Sequence, residues 1–232
     1  MIRIYPASSR FSADHGWLKS NFSFSFGEYY DPDNTQFGPL RVFNDDVIAG
    51  NRGFGAHPHR EMEIVSIVLA GELKHQDSIG RTAVTGFGGV QRMSAGTGII
   101  HSEVNPGEDE VALLQIWFEP NERQLEPSYE TTSYDPQQMV NRLLPIVSNQ
   151  SGPNVAHIHQ DLTIYLSRLD AGRSLAFTQE PGRRIYLFVI DGEIAVQGQH
   201  RLTCRDSARI TETPMIDIES IKDTMCLLID LP

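Results

Sequence analysis

Apolar residues along the chain follow two patterns: alternation with polar neighbours, and short unbroken runs. Neither keeps helical spacing for long. Phe22, Phe24 and Phe26 alternate with Ser23 and Ser25, the period of a strand with one aromatic face. Residues 40–48 and 111–118 predict two more strands, the latter closed by Pro120. Residues 61–74 predict one long strand bent at Gly71, and residues 84–93 another, interrupted by glycines. Turn chemistry marks residues 14–19, 30–34 and 75–80. Residues 119–153 are polar and proline-rich. There Asp135 and Pro136 fit the N-cap and first position of a short helix over 135–143. Strand-like runs then return at 155–169, 174–179, 184–196, 207–211, 215–218 and 225–231. Many short strands, glycine and proline turns and no long helix predict an all-β sandwich or barrel.

One stretch has a faint echo. Leu69-Ala70-Gly71-Glu72-Leu73 resembles Ile190-Asp191-Gly192-Glu193-Ile194, and the apolar run before each glycine matches as well. The two glycines lie 121 residues apart, which predicts a tandem duplication. The expected modules are residues 1–125 and 151–232, joined by a connecting segment over 126–150.

Composition narrows the function. At 232 residues, 40% hydrophobic and 21% charged, the chain is that of an ordinary globular protein. A formal charge of −11 argues against direct nucleic-acid binding and against an anionic membrane surface. No apolar run approaches the ~18 residues of a membrane span. The first residues carry no secretory-type apolar segment, so the cytoplasm is the expected location. Cys204 and Cys226 are expected to be buried and reduced.

The pointed chemistry lies between residues 57 and 103. His57-Pro58-His59 and His101-Ser102-Glu103 are two i, i+2 pairs, each co-facial if its segment is extended. Pro58 biases His57 toward extended backbone. If the two strands are neighbours, three imidazoles and one carboxylate converge. That set is too nitrogen-rich for Mg or Ca, and without thiolates it does not resemble a structural zinc site. It suits one divalent first-row transition metal. Fe(II) is the first choice, and Mn, Ni, Cu and Zn also fit the donors. Four ligands in an octahedral shell leave two positions for substrate and O₂ or water. Glu63 is the substitute ligand if Glu103 points away. His157 and His159 read as ordinary strand residues, and His75 as a hydrogen-bonding group at a turn. Under the repeat offset His57 falls on Thr178 and His59 on Glu180, so a metal is expected in the first module alone.

These residues carry a resemblance. The segment from Gly53 through His57-Pro58-His59 to Glu63 is similar to the first motif of the pirin family, within the cupin superfamily. His75-Gln76-Asp77-Ser78 and the run from Met93 to Glu103 resemble the family's next segments. The match spans roughly residues 14–118 and weakens beyond. It implies a bicupin of two tandem jelly-roll (double-stranded β-helix) barrels with few short helices, set face to face, with one metal in the N-terminal barrel. The family's ligands fall on His57, His59, His101 and Glu103. Bacterial members are associated with quercetin 2,3-dioxygenase activity, the opening of a flavonol ring by O₂ with release of CO. The expected partners are therefore a flavonol-like aromatic and O₂, with Glu103 as the base for the flavonol hydroxyl. Phe54, Met93 and Phe43 are the candidate apolar walls. Some members are instead iron-containing regulators of transcription factors. The alternative reading is thus a redox-sensing binding protein with a protein partner and no physiological quercetinase activity.

Overall fold

The computed structural model describes residues 1–150 and 152–232. Among them the chain forms twenty strands and two short 3-10 helices. The strands in the first half are β1 (Ile2–Tyr5), β2 (Phe11–Asp14), β3 (Leu18–Phe22), β4 (Leu40–Ile48), β5 (Gly53–His59), β6 (Glu63–Ala70), β7 (Glu72–Asp77), β8 (Thr82–Gly86), β9 (Gly89–Ser94), β10 (Ile99–Val104) and β11 (Val111–Phe118). They continue with β12 (Ser128–Ser133), β13 (Leu144–Ser148), β14 (Ala156–His157), β15 (Thr163–Leu169), β16 (Ser174–Thr178), β17 (Arg184–Val196), β18 (His200–Thr203), β19 (Ser207–Thr211) and β20 (Met215–Leu231). No helix among the described residues is long and apolar enough to cross a membrane.

Two compact units interleave along the chain. One comprises Phe11–Tyr134 with Asn149–Gln160; the other Met1–Arg10, Asp135–Ser148 and Asp161–Pro232. The residue at which the second module was expected to begin, 151, lies outside the described residues. The first ten residues count with the later unit because β1 pairs with β19, Ile2 opposite Ile210, and Ile2 and Ile4 pack on its core. Residues 149–160 count with the earlier unit. There the backbone N–H groups of His159 and Gln160 donate to the buried Glu63 carboxylate at 3.0 and 2.8 Å.

The earlier unit is built on a seven-stranded sheet, ordered β12-β9-β6-β11-β4-β3-β2, and a four-stranded sheet, β5-β10-β7-β8. Strands β6 and β11 are central and read as apolar runs. Ile64, Val65, Ile67, Val68, Leu113, Leu114 and Ile116 are all buried. In the later unit β1, β19, β17, β20, β15 and β13 follow one another, with β16 added on β20 and β18 on β17. Its core gathers Ile185, Leu187, Val189, Leu202, Ile218 and Leu228.

Several elements differ from their sequence expectation. The aromatic alternation at 22–26 does not extend the strand. β3 stops at Phe22, because Asn34 Nδ2 donates to the Ser23 carbonyl and the Ser25 hydroxyl to that of Asp31, side-chain bonds that compete with a ladder. The single strand expected over 61–74 is two, β6 and β7, in different sheets. Gly71 makes the break at φ 73°. His75 is therefore in a strand and buried, not at a turn. The helix after Asp135 is one 3-10 turn, Pro136–Met139, with the Asp135 carboxylate accepting from Gln137 N. Cys226 is buried, but Cys204 is exposed; both are free thiols.

Candidate metal centre

β5 and β10 are antiparallel neighbours with His101 directly opposite His57. Extended backbone puts His57 and His59 on one face of β5, and the rings of His57, His59 and His101 come together with centroids 4.5–4.9 Å apart. Each of the three offers a ring nitrogen within 4.8 Å of the others. A second group of the same kind, His75, His101 and Glu103, shares His101 and is wholly buried. The pairing shifts register between His101 and Glu103, a bulge that still leaves both side chains inward.

The hydrogen bonds behind these rings decide where their lone pairs lie. His57 Nδ1–H donates to the Gly55 carbonyl at 2.8 Å, so Nε2 is the free donor atom. Glu103 is held on both oxygens. Ser66 Oγ–H donates to Oε1 at 3.0 Å and Gln115 Nε2–H to Oε2 at 2.7 Å. Trp117 Nε1–H in turn donates to Gln115 Oε1 at 3.3 Å, which fixes the amide's orientation. Burial, and then the neighbouring imidazoles, hold His59 down at about 4 and His101 at about 3. Both rings are therefore neutral at neutral pH, the state a metal ligand requires. Burial pushes the Glu103 carboxyl above its usual range, against the opposing bonds from Ser66 and Gln115.

A cavity of about 780 Å³ opens in front of the cluster and includes His57, His59 and Glu103 in its wall. Aromatic rings line it: Phe11, Trp17, Phe22, Phe26, Phe54 and Trp117. Strand register explains its polar side. Gln91, Ser66, Gln115, Asn44, Phe22 and Phe11 are cross-strand neighbours in succession over β9, β6, β11, β4, β3 and β2. The row runs from buried polar groups to aromatic ones. Asn44, 2% exposed, lines the cavity with an Oδ1 that has no partner among the described residues.

Residues 5–118 match the pirin family model, and residues 145–231 match a model described as the quercetinase C-terminal cupin domain. The chain belongs to the pirin family. It is 40% identical to a quercetin 2,3-dioxygenase of Escherichia coli K12 over 233 residues, covering 100% of this chain and 99% of that one. It is 37% identical over 231 residues to a pirin-like protein of Caulobacter vibrioides, with 99% of each covered. Among solved structures, the Escherichia coli bacterial pirin YhhW in complex with nickel(II) superposes with a TM-score of 0.94 at 38% identity, covering 100% of this chain and 99% of that one.

The residues present in this pirin fit a metal ion. His59 Nε2 and His101 Nε2 are buried polar atoms without a hydrogen-bond partner among the described residues, the state that coordination would relieve. The two candidate groups are not equivalent. The space around His75, His101 and Glu103 is about 10 Å³, whereas the group with His57 and His59 faces the large cavity. An ion that must also meet a substrate belongs on the cavity side.

Glu63 is not brought to the cluster. Its oxygens accept from His159 Nδ1 at 2.9 Å, Ser94 Oγ at 2.8 Å and the backbone N–H groups of His159 and Gln160. That also accounts for His159. Phe54 lines the cavity; Phe43 and Met93 are buried in the core away from it. Sequence reasoning missed Ser66, Gln115, Trp117 and Asn44. The signal for Ser66 and Gln115 was there, a lone polar residue inside an apolar strand, since burying one is unfavourable unless it has a partner.

Proposed function

We propose that His57, His59, His101 and Glu103 hold one divalent first-row transition ion, Fe(II) as first choice with Mn, Ni, Cu and Zn also fitting the donors, and that the cavity beside it takes a flavonol-like aromatic for ring opening by O₂. The observation that carries this reading is the pair of buried, unpartnered imidazole Nε2 atoms set against an aromatic-walled cavity of matching size. The ion would supply Lewis acidity toward a substrate hydroxyl and a redox partner for O₂.

The protein's own groups do the rest. Phe22, Phe54 and Trp117 offer flat apolar surface to a planar ring system. Asn44 Oδ1 accepts a hydrogen bond from a ring hydroxyl, the donor its burial leaves missing. Glu103 takes the proton of the reacting hydroxyl, and its burial makes it a stronger base than an exposed carboxylate. Ser66 and Gln115 hold that carboxylate in place while it does so. The names of the relatives agree with this chemistry.

The test is an aerobic assay with quercetin on protein reconstituted with Fe(II) or Ni(II), following O₂ uptake and CO release. Turnover should appear and should fall by about 100-fold or more in His101→Ala. Metal-loaded wild type that leaves quercetin unchanged would sink the reading and favour a binding role.

A further inference from the structure

We propose that Asp77 and His75 are positioning residues that set the tautomer of His101, so that its Nε2 lone pair always faces the metal side. The proposal rests on His101 being a ligand.

The chain of contacts begins at Asp77. Its Oδ1 accepts from the backbone N–H groups of Ile79 and Arg81 at 3.0 and 2.9 Å, which anchors the carboxylate in the turn after β7. Its Oδ2 meets His75 Nε2 at 2.9 Å, and both side chains are buried. An ionised carboxylate only accepts, so His75 Nε2 carries the hydrogen. A neutral His75 then has its lone pair on Nδ1. That atom faces His101 Nδ1 at 3.3 Å. Two lone pairs cannot face each other favourably, so His101 must donate from Nδ1. The remaining nitrogen, Nε2, is left as the lone-pair atom, and it is the one that is buried without a partner. Tyr129 stacks on His75 with centroids 3.8 Å apart and planes 9° from parallel, which keeps the ring in this orientation. A proton on His101 Nε2 would block coordination. The buried chain removes that form before any metal arrives.

Asp77→Asn is the informative variant. The amide oxygen keeps the turn bonds to Ile79 and Arg81, while its NH₂ is presented to His75 Nε2. His75 must then carry its hydrogen on Nδ1, and His101 must shift its own to Nε2. Long-range ¹⁵N–¹H NMR of the metal-free protein reads this directly. Wild type should show His101 as the Nδ1–H form and Asp77→Asn as the Nε2–H form. Ni(II) affinity, measured without any flavonol, should weaken by about 10- to 100-fold in Asp77→Asn. Adding His75→Asn, whose amide oxygen replaces the Nδ1 lone pair whatever Asp77 has become, should restore the Nδ1–H form and most of the affinity. A merely structural role predicts no such rescue. An Nε2–H His101 in metal-free wild type, or Asp77→Asn binding Ni(II) within about twofold of wild type, overturns the proposal. Wild type that binds no Ni(II) overturns the ligand reading and takes this proposal with it. Wild type that binds Ni(II) but leaves quercetin untouched counts against the dioxygenase reading alone.

Discussion

An imidazole ligates a metal only through a nitrogen that has no proton, and burial secures this for His59 and His101. With unfolded values near 6.5 and folded values of about 4 and about 3, both stay neutral in the metal-free fold well into acid. The unfolded chain therefore binds more protons than the folded one below about pH 6.5, and the folded state loses stability as pH falls through that window. Glu103, raised by burial, works in the opposite sense above its unfolded value, so the bare protein is a poor place to see either effect. The comparison that isolates His101 is metal-free wild type against His101→Phe. Urea midpoints measured between pH 7 and pH 4.5 should show wild type losing stability relative to the variant as pH falls. Parallel curves would mean that His101 takes up protons in the fold much as it does in the unfolded chain.

At the scale of strands, the breaks matter as much as the strands. Gly71 and Gly192 occupy equivalent places in the repeat and both have positive φ, 73° and 93°. A Cβ on Gly192 would lie 2.3 Å from the Asp223 carbonyl oxygen, whereas one on Gly198, at φ 67°, would meet nothing within 4 Å. Gly192→Ala should therefore cost about 2–4 kcal/mol and Gly198→Ala about 1 kcal/mol, read from urea midpoints at constant slope. Equal costs would show that backbone strain alone matters there. The glycines also explain what was legible in the sequence. β4, β11, β17 and β19 were readable end to end because their apolar runs are buried and closed by turn residues. β12 was not, because Ser-Tyr-Glu-Thr-Thr-Ser is an edge strand with one side paired to β9, and its composition reads as loop. The facing of the i, i+2 pairs His57/His59 and His101/Glu103 was readable because the strand period is local. His75, Asp77 and Gln115 were not, since their roles depend on which strand lies opposite, and that is set by register far along the chain.

At the scale of the whole chain, a duplication carries a shape across without its chemistry. Shifted by the repeat, β5 falls on β16, which holds Thr178 where β5 holds His57, and Glu180 comes where His59 stands. His200 is the last histidine of the chain, so no imidazole remains to take the place of His101. The structure keeps the frame nonetheless. β16 pairs antiparallel with β20, and its alternation buries Leu175 and Phe177 in part against an apolar core, while Thr178, where β5 holds His57, is exposed. Both candidate ligand groups found among the described residues lie in the unit containing Phe11–Tyr134. Equilibrium dialysis against Ni(II) should accordingly saturate at one ion per chain. Hydrogen exchange should slow on metal binding within β5 and β10 and stay unchanged within β16, because an ion that binds only the folded site stabilises the segments that carry its ligands. Two ions per chain, or protection spreading to β16, would mean that the second module has rebuilt a site from carboxylates rather than lost one. The seat of function would then have to be sought in both units.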